Sequence, residues 1–544
     1  MATQTNNVPK NFPIIRFHGA TKVVTGSCYE IETTHARIIV DCGMFQGSKS
    51  EKELNYREFP FNPADIDAVV LTHAHIDHSG LLPKLVKHGF KGQIFATSAT
   101  VELCSVMLPD SGYIQESEVK QLNCRNQQRG RALVEPIYTA EDARDCLTHF
   151  RPADYCEWVQ VAEGIRIRFW NAGHLLGSAS VQMEVTNGKE VPVRILFSGD
   201  IGPSSELLQP DPNAPHWLDY VVCESTYGNR DRVDVSAEER LTLLAEEVQK
   251  AVKRNGPLLI PSFAVERTQE VLVDLYTLMK TGRVPRAAVF VDSPLATKAS
   301  QVFSKYARDV EHGEVLLEAF NSSFVRFTES AEQSKAISRI RGFHVIIAAS
   351  GMCDAGRIRH HLKQWLWSSK ATVLFVGFQA QGSLGRIILD GATSVRIQGE
   401  EIRVKANIAS LDFYSGHADG RALTEWVRER LPINENIFLT HGEPEAMEGL
   451  KESLSHIIPP EKIIMPTLDQ AFELSGKGAH EVEAGQPKRM DHEDMGRMDW
   501  HNDLSKLLLD ISEEIGNQAD ERNRAKVIRR LRKALENGDV PNGN

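Results

Sequence analysis

The chain has 544 residues, of which 41% are hydrophobic and 25% are charged, and its net charge is -11. Such a length predicts at least two domains, each with a core of its own, and this composition excludes wholesale disorder. The acidic balance argues against binding of nucleic acid over the whole surface, although it leaves room for a local basic cleft.

The cysteines and the N-terminal residues indicate the compartment. Eight cysteines are scattered along the chain without a CxxC pair, so the sequence predicts neither a disulfide framework nor a zinc ribbon and favours a reducing cytoplasm. Residues 1–13 are polar and lack the features of a signal or transit peptide. No apolar run approaches the length that crosses a bilayer, so we expect no membrane partner.

Short apolar strands separated by glycines dominate the chain up to about Ser204. Together with two helices predicted among them, they favour layered sheets flanked by helices. The strands are predicted at residues 14–17, 27–31, 37–40, 68–71, 157–170, 180–186 and 193–197, and the helices at residues 81–88 and 99–108.

The pattern of secondary structure changes near Val221, where strands begin to alternate with longer helices. Alternation of this kind predicts a mostly parallel sheet. From about Ile402 the pattern of the first part of the chain returns. The segment with alternating strands and helices is therefore expected to be inserted into the first domain. The helices are predicted at residues 237–254, 266–280 and 422–431, and the strands at residues 221–224, 258–260, 288–291, 345–348, 373–376 and 437–439.

The composition changes after about Gly476, where a glycine-rich linker is expected. Apolar residues at helical spacing then predict a helical hairpin whose second helix has a basic face. That face is either a solvated helix surface or a surface for RNA or a protein partner, and a homodimer through these helices is a further expectation. The apolar positions are Leu504, Leu507, Leu508, Ile511, Ile515, Val527, Ile528, Leu531 and Leu535.

The densest group of metal-ligating side chains directly follows the strand predicted at residues 68–71. His73, His75, Asp77 and His78 form the pattern HxHxDH, which this composition would produce by chance in roughly one chain in a thousand. A solvated polar loop is the alternative interpretation. Imidazole and carboxylate ligands suit Zn²⁺ or another borderline divalent ion, and the spacing directs the first two residues toward one ion and the last two toward a second.

Two complete metal shells require further ligands. Three candidates lie in glycine-flanked loops directly after predicted strands, namely His174, Asp200 and His441. Glycine beside them lets the backbone approach closely. Each residue taken alone is more often structural, but their shared place at strand ends favours metal binding.

With these residues the chain resembles the β-CASP branch of the metallo-β-lactamase superfamily, the RNA-processing nucleases that include RNase J and the cleavage subunit of the polyadenylation machinery. The similarity covers roughly residues 17–466, and all seven motif positions are present. They are Asp41 in VDCGMFQG, the HAHIDH run at residues 73–78, His174 in AGHLLGS, Asp200 in FSGD, Glu224 in CESTYG, His417 in SGHAD and His441 in LTHGE.

The resemblance implies an α/β fold. An αββα metallo-β-lactamase sandwich is expected to contain an inserted β-CASP domain, which is a mostly parallel sheet flanked by helices, and to carry a helical C-terminal tail. The expected divisions are residues 1–210 for the first part of the metallo-β-lactamase domain, 211–400 for the β-CASP domain, 401–478 for the second part of the metallo-β-lactamase domain, and 479–544 for the linker and helical extension.

The resemblance also implies two zinc ions per chain. One is expected on His73, His75, His174 and Asp200, and the other on Asp77, His78, His441 and the shared Asp200. Two ions about 3.5–4 Å apart would activate a hydroxide and stabilise the charge on a phosphodiester. Asp41 is expected to orient a histidine ligand or the bridging water, and a turn-capping aspartate is its alternative.

Four residues are expected to act in catalysis. His417 is the candidate general acid, and Glu224 is expected to raise its pKa and fix its orientation. Asp77 and Asp41 complete this set beside the metals.

Three residues of the inserted unit are expected to hold phosphates of a threaded strand, namely Arg267, Ser350 and Gly351. Backbone amides and guanidinium groups at helix starts suit that role. A structural salt bridge or a helix cap is the alternative for each of them.

The leading hypothesis is a two-zinc ribonuclease acting on single-stranded RNA. His441 favours RNA, because the resemblance implies valine at this position in DNA-directed members. The alternatives are a DNA-directed nuclease, a small-molecule hydrolase of the wider superfamily acting on thioesters or lactams, and a non-catalytic RNA-binding regulator. The inserted unit argues against the small-molecule hydrolase, and the complete ligand set argues against the regulator. Endonucleolytic and exonucleolytic action both stay open.

Overall fold

The structure is a computed structural model that describes residues 12–187, 191–204, 206–232, 235–377, 379, 382–483, 489 and 525–530. Within these ranges, no helix combines the length and the apolar character that crossing a membrane requires. The described chain builds two lobes, and the second lobe interrupts the sequence of the first.

The first segment supplies most strands of the first lobe. These strands are β1 (Ile14–Phe17), β2 (Tyr29–Glu32), β3 (Arg37–Val40), β4 (Ala68–Val70), β5 (Gln93–Thr97), β6 (Phe150–Ala153), β7 (Val159–Ala162), β8 (Ile165–Asn171), β9 (Ala179–Val185), β10 (Val193–Phe197) and β11 (Leu218–Glu224). The helices are α1 (Lys49–Leu54), α2 (Ile76–Ser79), α3 (Leu82–Lys87), α4 (Ser98–Gln128) and α5 (Ala140–Cys146), with short 3-10 helices at Pro63–Asp65 and Leu147–His149.

The inserted segment forms the second lobe. Its strands are β12 (Pro257–Pro261), β13 (Val289–Val291), β14 (Val325–Phe327), β15 (His344–Ala348), β16 (Thr372–Phe375), β17 (Ser394–Ile397), β18 (Glu400–Arg403) and β19 (Asn407–Ser410). Its helices are α6 (Ala237–Arg254), α7 (Arg267–Lys280), α8 (Pro294–Lys305), α9 (Gly313–Phe320), α10 (Ala331–Ile337), α11 (Ile358–Trp365) and α12 (Leu384–Leu389).

The last segment returns to the first lobe. It contains α13 (Gly420–Arg428), β20 (Ile433–Thr440), α14 (Pro444–Leu454), a 3-10 helix at Pro460–Lys462, β21 (Ile463–Ile464), β22 (Ala471–Ser475) and β23 (Gly478–Val482).

Two sheets of the first lobe pack face to face. One has the strand order β23-β22-β1-β2-β3-β4-β5-β6, and the other has the order β21-β20-β11-β10-β9-β8-β7. Alternate side chains of both sheets form the core between them, among them Ile38, Val70, Ile167, Met183 and Phe438. Helices α3 to α5 cover the outer face of the first sheet, and α13 and α14 cover part of the second. The predicted αββα sandwich is confirmed.

The second lobe is built on a parallel sheet. Its strand order is β14-β13-β15-β12-β16-β19, and the pairs along it are all parallel. Helices α6 to α9 pack on one face and α10 to α12 on the other. The predicted parallel sheet flanked by helices is therefore confirmed, and the loops after its strands lie along one edge.

Helix α6 shows how the local sequence sets its bounds. A capping box formed by Ser236 and Glu239 starts the helix, and Asn255 ends it in the left-handed conformation with φ +54°. Leu244, Val248 and Ala251 share the buried face. The predicted bounds of this helix are confirmed.

Helix α4 is longer than predicted. The sequence predicts a helix at residues 99–108, whereas α4 continues to Gln128. Side chains are buried only as far as Gly112, and most of those beyond it are exposed. The exposed half contains good helix formers but no apolar stripe, so hydrophobic periodicity could not reveal it.

The domain limits that strand pairing defines differ from the predicted limits at both ends of the insertion. Strand β11 lies beyond the limit at residues 210/211, yet it pairs with β10 and β20 of the first lobe. Strand β19 lies beyond the limit at residues 400/401, yet it pairs with β16 of the second lobe. The predicted limits separate two strands from their sheets because they follow the change in alternation of strands and helices along the sequence, whereas pairing depends on contacts distant in sequence.

The predicted linker from residue 479 begins as a strand. Strand β23 pairs antiparallel with β22 at the edge of the first sheet. Beyond it, Arg489 donates hydrogen bonds of 2.9 Å to both carboxylate oxygens of Asp469 in the first lobe. Residues 525–530, which include Val527 and Ile528, are helical. The other apolar positions of the predicted hairpin, Leu504 to Ile515 with Leu531 and Leu535, lie outside the described residues.

Strand direction brings several loops of the first lobe to one edge. Strands β10, β11 and β20 are parallel, and β8 runs the same way because two antiparallel pairings separate it from β10. Strands β3 and β4 of the facing sheet are also parallel to each other. The residues that follow these strands include every metal-binding candidate of the first lobe.

Phe438 tests the packing of the sandwich. Its ring is buried and lies 5.0 Å from the ring of Phe17 and 5.3 Å from that of Phe472. We expect Phe438→Ala to lower the free energy of unfolding by about 3–5 kcal/mol, because truncation removes buried surface and leaves a cavity. Urea denaturation followed by circular dichroism measures the change. Leu122→Ala, at a side chain 44% exposed, is the control, and equal losses in both variants would contradict this packing.

Candidate metal centre and catalytic site

The HxHxDH run lies directly after the buried strand β4. His73 and His75 occupy the loop, whereas Asp77 and His78 lie in the single turn of α2. The turn is packed tightly, because a Cβ on Gly43 would lie 1.6 Å from the carbonyl oxygen of Asp77. Only glycine allows this close approach.

The first group of donor atoms comprises His73, His75, His174 and Asp200. Nδ1 of His75 lies 3.1 Å from Nε2 of His73 and 3.1 Å from Nε2 of His174. Oδ2 of Asp200 lies 3.4 Å from Nε2 of His73 and 3.5 Å from Nε2 of His174. Four donors from three loops therefore converge on one point.

The second group comprises Asp77, His78 and His441. Nε2 of His441 lies 3.2 Å from Nε2 of His78 and 3.6 Å from Oδ2 of Asp77. Oδ1 of Asp200 lies 3.3 Å from Nε2 of His78 and 3.6 Å from Nδ1 of His441. Asp200 thus presents one carboxylate oxygen to each group.

The electrostatics of these residues fit a cation. Burial lowers the pKa of His73 to about 3 and that of His75 to about 4. Burial and the charge of His417 hold the pKa of His174 well below its usual value. These imidazoles are therefore neutral at physiological pH, which is the form that binds a metal.

Asp200 is a buried anion. Burial by itself would raise the pKa of its carboxyl, but the neighbouring histidines, first of all His441 and His78, hold that pKa well below its usual value. Its Oδ1 is buried and has no hydrogen-bond partner among the described residues. A buried carboxylate oxygen without a hydrogen-bond donor, beside imidazole nitrogens of His78 and His441, fits a divalent cation, and the nitrogen and oxygen donors suit zinc.

Asp41 lies behind His78. It has a left-handed backbone with φ +58°, and its carboxylate accepts hydrogen bonds from Thr72 N–H at 2.8 Å, from Thr72 Oγ1 at 2.9 Å and from His78 Nδ1 at 2.7 Å. The bond to Nδ1 turns Nε2 of His78 toward the second group. Asp41 therefore lies beside His78, a candidate metal ligand.

His417 and Glu224 form a pair at the edge of the donor groups. Nδ1 of His417 lies 3.3 Å from both carboxylate oxygens of Glu224, and its Nε2 lies 4.0 Å from Oδ2 of Asp200. Glu224 is fixed by hydrogen bonds from Ile201 N–H at 2.5 Å and from Thr226 Oγ1 at 2.6 Å.

The pKa of His417 is about 8. Burial by itself would lower it, but the charges of Glu224 and Asp200 raise it by more. The side chain is also 21% exposed, whereas that of His73 is 1% exposed. A protonated imidazole can therefore reach a substrate beside the donor groups.

Arg267 differs from its predicted role. Its guanidinium is buried, donates to Glu270 and lies 3.4 Å from Oε1 of Glu206. This corresponds to the alternative of a buried salt bridge, because two carboxylates contact the buried guanidinium. The sequence does not identify Glu206 as a partner, because Glu206 lies in a distant loop.

Ser350 and Gly351 lie in the loop after β15, at the carboxyl edge of the parallel sheet. The Ser350 hydroxyl bonds the backbone of Ala355 at 3.3 and 3.4 Å. Gly351 packs so closely that an added Cβ would lie 2.9 Å from the Phe263 ring, and 44% of the Phe263 residue surface is exposed. The structure therefore places Gly351 against an exposed aromatic ring and bonds Ser350 within its own loop, and neither residue belongs to the two donor groups.

The sequence gives no role to Glu266, which joins the two lobes. Its carboxylate accepts hydrogen bonds from Leu176 N–H at 2.9 Å and from Gln209 at 2.8 Å, and burial raises its pKa to about 7. Its φ is +68°, a strained value for a residue other than glycine that is typical of functional positions. Leu176 is two residues from His174, so Glu266 fixes the ligand loop against the second lobe. Only the backbone conformation could have revealed this role.

Comparison with known families agrees with this geometry. A model described as "Metallo-beta-lactamase superfamily" matches residues 21–254, one described as "Beta-Casp domain" matches residues 268–388, and one described as "Zn-dependent metallo-hydrolase RNA specificity domain" matches residues 401–466. Together they span both lobes.

Curated relatives are similar over most of the chain. The ribonuclease TTHA0252 of Thermus thermophilus is 37% identical over 445 residues, which cover 80% of this chain and 95% of the relative. The transcription termination factor FttA of Methanosarcina mazei is 30% identical over 451 residues, covering 80% of this chain and 68% of that protein. The chain belongs to the β-CASP family of the metallo-β-lactamase superfamily, and it is a hydrolytic enzyme. The family predicted from the motifs is confirmed.

Asp41→Ala tests the support of the second donor group. The change leaves Nδ1 of His78 without its acceptor, so we expect the affinity for zinc to fall by about 10–100-fold. Competition with a chromophoric zinc chelator measures it. Asp145→Ala, at an exposed aspartate of α5, is the control. Equal zinc affinity in both variants would make Asp41 a turn-capping residue.

Proposed function

We propose that the chain is a two-zinc ribonuclease that hydrolyses phosphodiester bonds of single-stranded RNA. The observation that carries the proposal is the placement of Asp200, whose two oxygens face separate donor groups while His417 lies 4.0 Å from the same carboxylate. Two metal positions beside a protonatable imidazole suit in-line displacement at phosphorus.

His73, His75, His174 and Asp200 would hold one zinc ion, and Asp77, His78, His441 and the shared Asp200 would hold the other. When bound, the two ions supply Lewis-acid polarisation of the phosphodiester and acidification of the attacking water. Asp41 keeps the His78 ring in the orientation that the second zinc ion would need. Asp77 would supply a carboxylate oxygen to the same ion, beside Nε2 of His441.

His417 acts as the general acid in this proposal. Glu224 lies against Nδ1 and keeps the ring protonated, so that Nε2 can give its proton to the departing ribose oxygen. General acid catalysis by a positioned imidazole contributes about 10²–10⁴-fold to the rate. The bonds from Ile201 and Thr226 hold Glu224 in place and so limit motion of the pair.

Several observations support RNA as the polymer. A relative with 37% identity over most of both chains has the printed name of a ribonuclease, and residues 401–466 match a model described as an RNA specificity domain. The last motif position is a histidine, His441, as in the RNA-directed relatives that the chain resembles.

We also propose that the RNA strand lies between the two lobes. His174 Nδ1 lies 2.5 Å from the carbonyl oxygen of Gly416, and Glu266 bonds Leu176, so the metal ligands border the second lobe. Ser350 and Gly351 remain the proposed phosphate contacts on that lobe, with Phe263 beside them.

Two substitutions separate the roles of metal and acid. We expect Asp200→Ala to lose both zinc ions and all cleavage, because it removes the shared ligand. His417→Ala should retain both ions and lose about 10²–10⁴-fold in kcat. Zinc is measured by mass spectrometry, and cleavage is measured on RNA labelled separately at its 5′ and 3′ ends.

The same assay discriminates the alternatives. His216→Ala, at an exposed histidine, should cleave at the rate of the parent chain, and the matching DNA should stay intact. Internal fragments indicate endonucleolytic action, whereas mononucleotides released from one end indicate exonucleolytic action. If zinc-loaded protein cleaves neither polymer, the ribonuclease proposal is wrong. Cleavage by His417→Ala at the parental rate would remove its role as general acid.

A further inference from the structure

Strand β8 presents two different faces. Ile165, Ile167 and Phe169 point into the sandwich core. Arg166, Arg168 and Trp170 alternate with them and therefore lie on the outer face of the second sheet. The helices α13 and α14 cover this sheet over β10, β11 and β20, whereas the Arg166 side chain on β8 is 49% exposed.

Two indole rings and two guanidinium groups stack on this outer face. The guanidinium carbon of Arg166 lies 4.4 Å from the Trp158 ring centroid, and that of Arg168 lies 4.7 Å from the rings of both Trp158 and Trp170. These four residues are named here the Trp–Arg platform. Such cation–π contacts hold long side chains flat against the sheet.

Gln182 on the neighbouring strand β9 fixes the orientation of the platform side chains. It lies opposite Arg168 in the β8–β9 pairing, and its Oε1 accepts hydrogen bonds from Arg168 Nε at 3.1 Å, from Arg168 Nη2 at 2.8 Å and from Trp170 Nε1 at 3.1 Å. One buried amide oxygen thus orients both an arginine and an indole.

The platform keeps positive charge. Arg166 pairs with Glu184, and Arg194 also lies 3.8 Å from this carboxylate. Within the described part of the chain, the contacts of Arg168 are with Gln182 and two indole rings, which are neutral. A fixed cation between aromatic faces is complementary to a strand that offers phosphates and unstacked bases.

The platform also lies on the strand that leads to the candidate metal centre. Trp170 precedes the ligand His174 by four positions, and β8 ends between them at Asn171. A strand rises by about 3.3 Å per residue, so Trp170, Arg168 and Arg166 mark steps of about 7 Å leading away from the site.

We propose that the Trp–Arg platform binds the single-stranded part of an RNA substrate that extends beyond the metal centre. Bases stack on the layer formed by the two indole rings and their guanidinium planes, and the Arg168 guanidinium also contacts backbone phosphates. This inference rests on the proposed ribonuclease function and adds a second binding region outside the cleft between the lobes. Its contacts are independent of sequence, because every base has a face that can stack.

The test compares substrates of two lengths. The double variant Trp158→Leu/Arg168→Gln is assayed on an RNA of about 6 nucleotides, which fills the metal centre alone, and on one of about 24 nucleotides. We expect KM for the long RNA to rise about tenfold, with kcat unchanged and KM for the short RNA unchanged. Arg326→Gln, which removes an exposed arginine stacked at 5.7 Å on Phe290 in the other lobe, should change neither value.

Binding without turnover separates this inference from the proposed function. Fluorescence anisotropy of the labelled long RNA is measured on the chelator-treated full chain, with and without the double variant. If the parent chain and the double variant bind the long RNA with equal affinity, or if the double variant loses as much with the short RNA as with the long one, the proposed role of the platform is wrong even if RNA is cleaved. A length-dependent loss supports the platform even if the unmodified chain does not cleave RNA, in which case the ribonuclease proposal fails alone. If Trp158→Leu impairs folding, Arg168→Gln by itself provides the same comparison.

Discussion

The buried carboxylate of Asp200 is the constraint on which the rest of the site depends. An anion in this position is costly unless cations or hydrogen-bond donors compensate it. Here one oxygen lies beside Nε2 of His73 and the other beside Nε2 of His78. In this structure the charges of the neighbouring histidines, first of all His441 and His78, compensate it, and two divalent cations would supply that compensation when bound. This explains why donors collect on both sides of a single residue.

The fold supplies these donors through strand direction. Parallel strands of each sheet end at the same edge, so short loops after β4, β8, β10 and β20 meet there although they are far apart in sequence. The segment that returns to the first lobe supplies His417, which faces Glu224. The second lobe contacts the loop of His174 through Glu266, whose strained backbone lies at that contact.

Much of this site could be predicted from sequence because its residues follow strands in short, recognisable patterns. The HxHxDH run and the glycine-flanked His174, Asp200 and His441 are local signals, and the structure brings all of them together. Glu270 lies one helical turn from Arg267 and is a local partner. The contact with Glu206 could not be predicted, since Glu206 reaches Arg267 only when the two lobes pack. The exposed half of α4 could not be predicted because it lacks an apolar stripe. The predicted domain limits assign β11 and β19 to the wrong lobes because strand pairing is not a local property of the sequence.

The proposed function requires Asp200 to be a ligand shared between two zinc ions. Anomalous X-ray diffraction at the zinc edge, from crystals of the zinc-loaded chain, tests this most directly. The expected result is two zinc peaks about 3.5–4 Å apart with one oxygen of Asp200 bound to each. A single peak, or two peaks of which only one contacts Asp200, would contradict a carboxylate shared between two zinc ions.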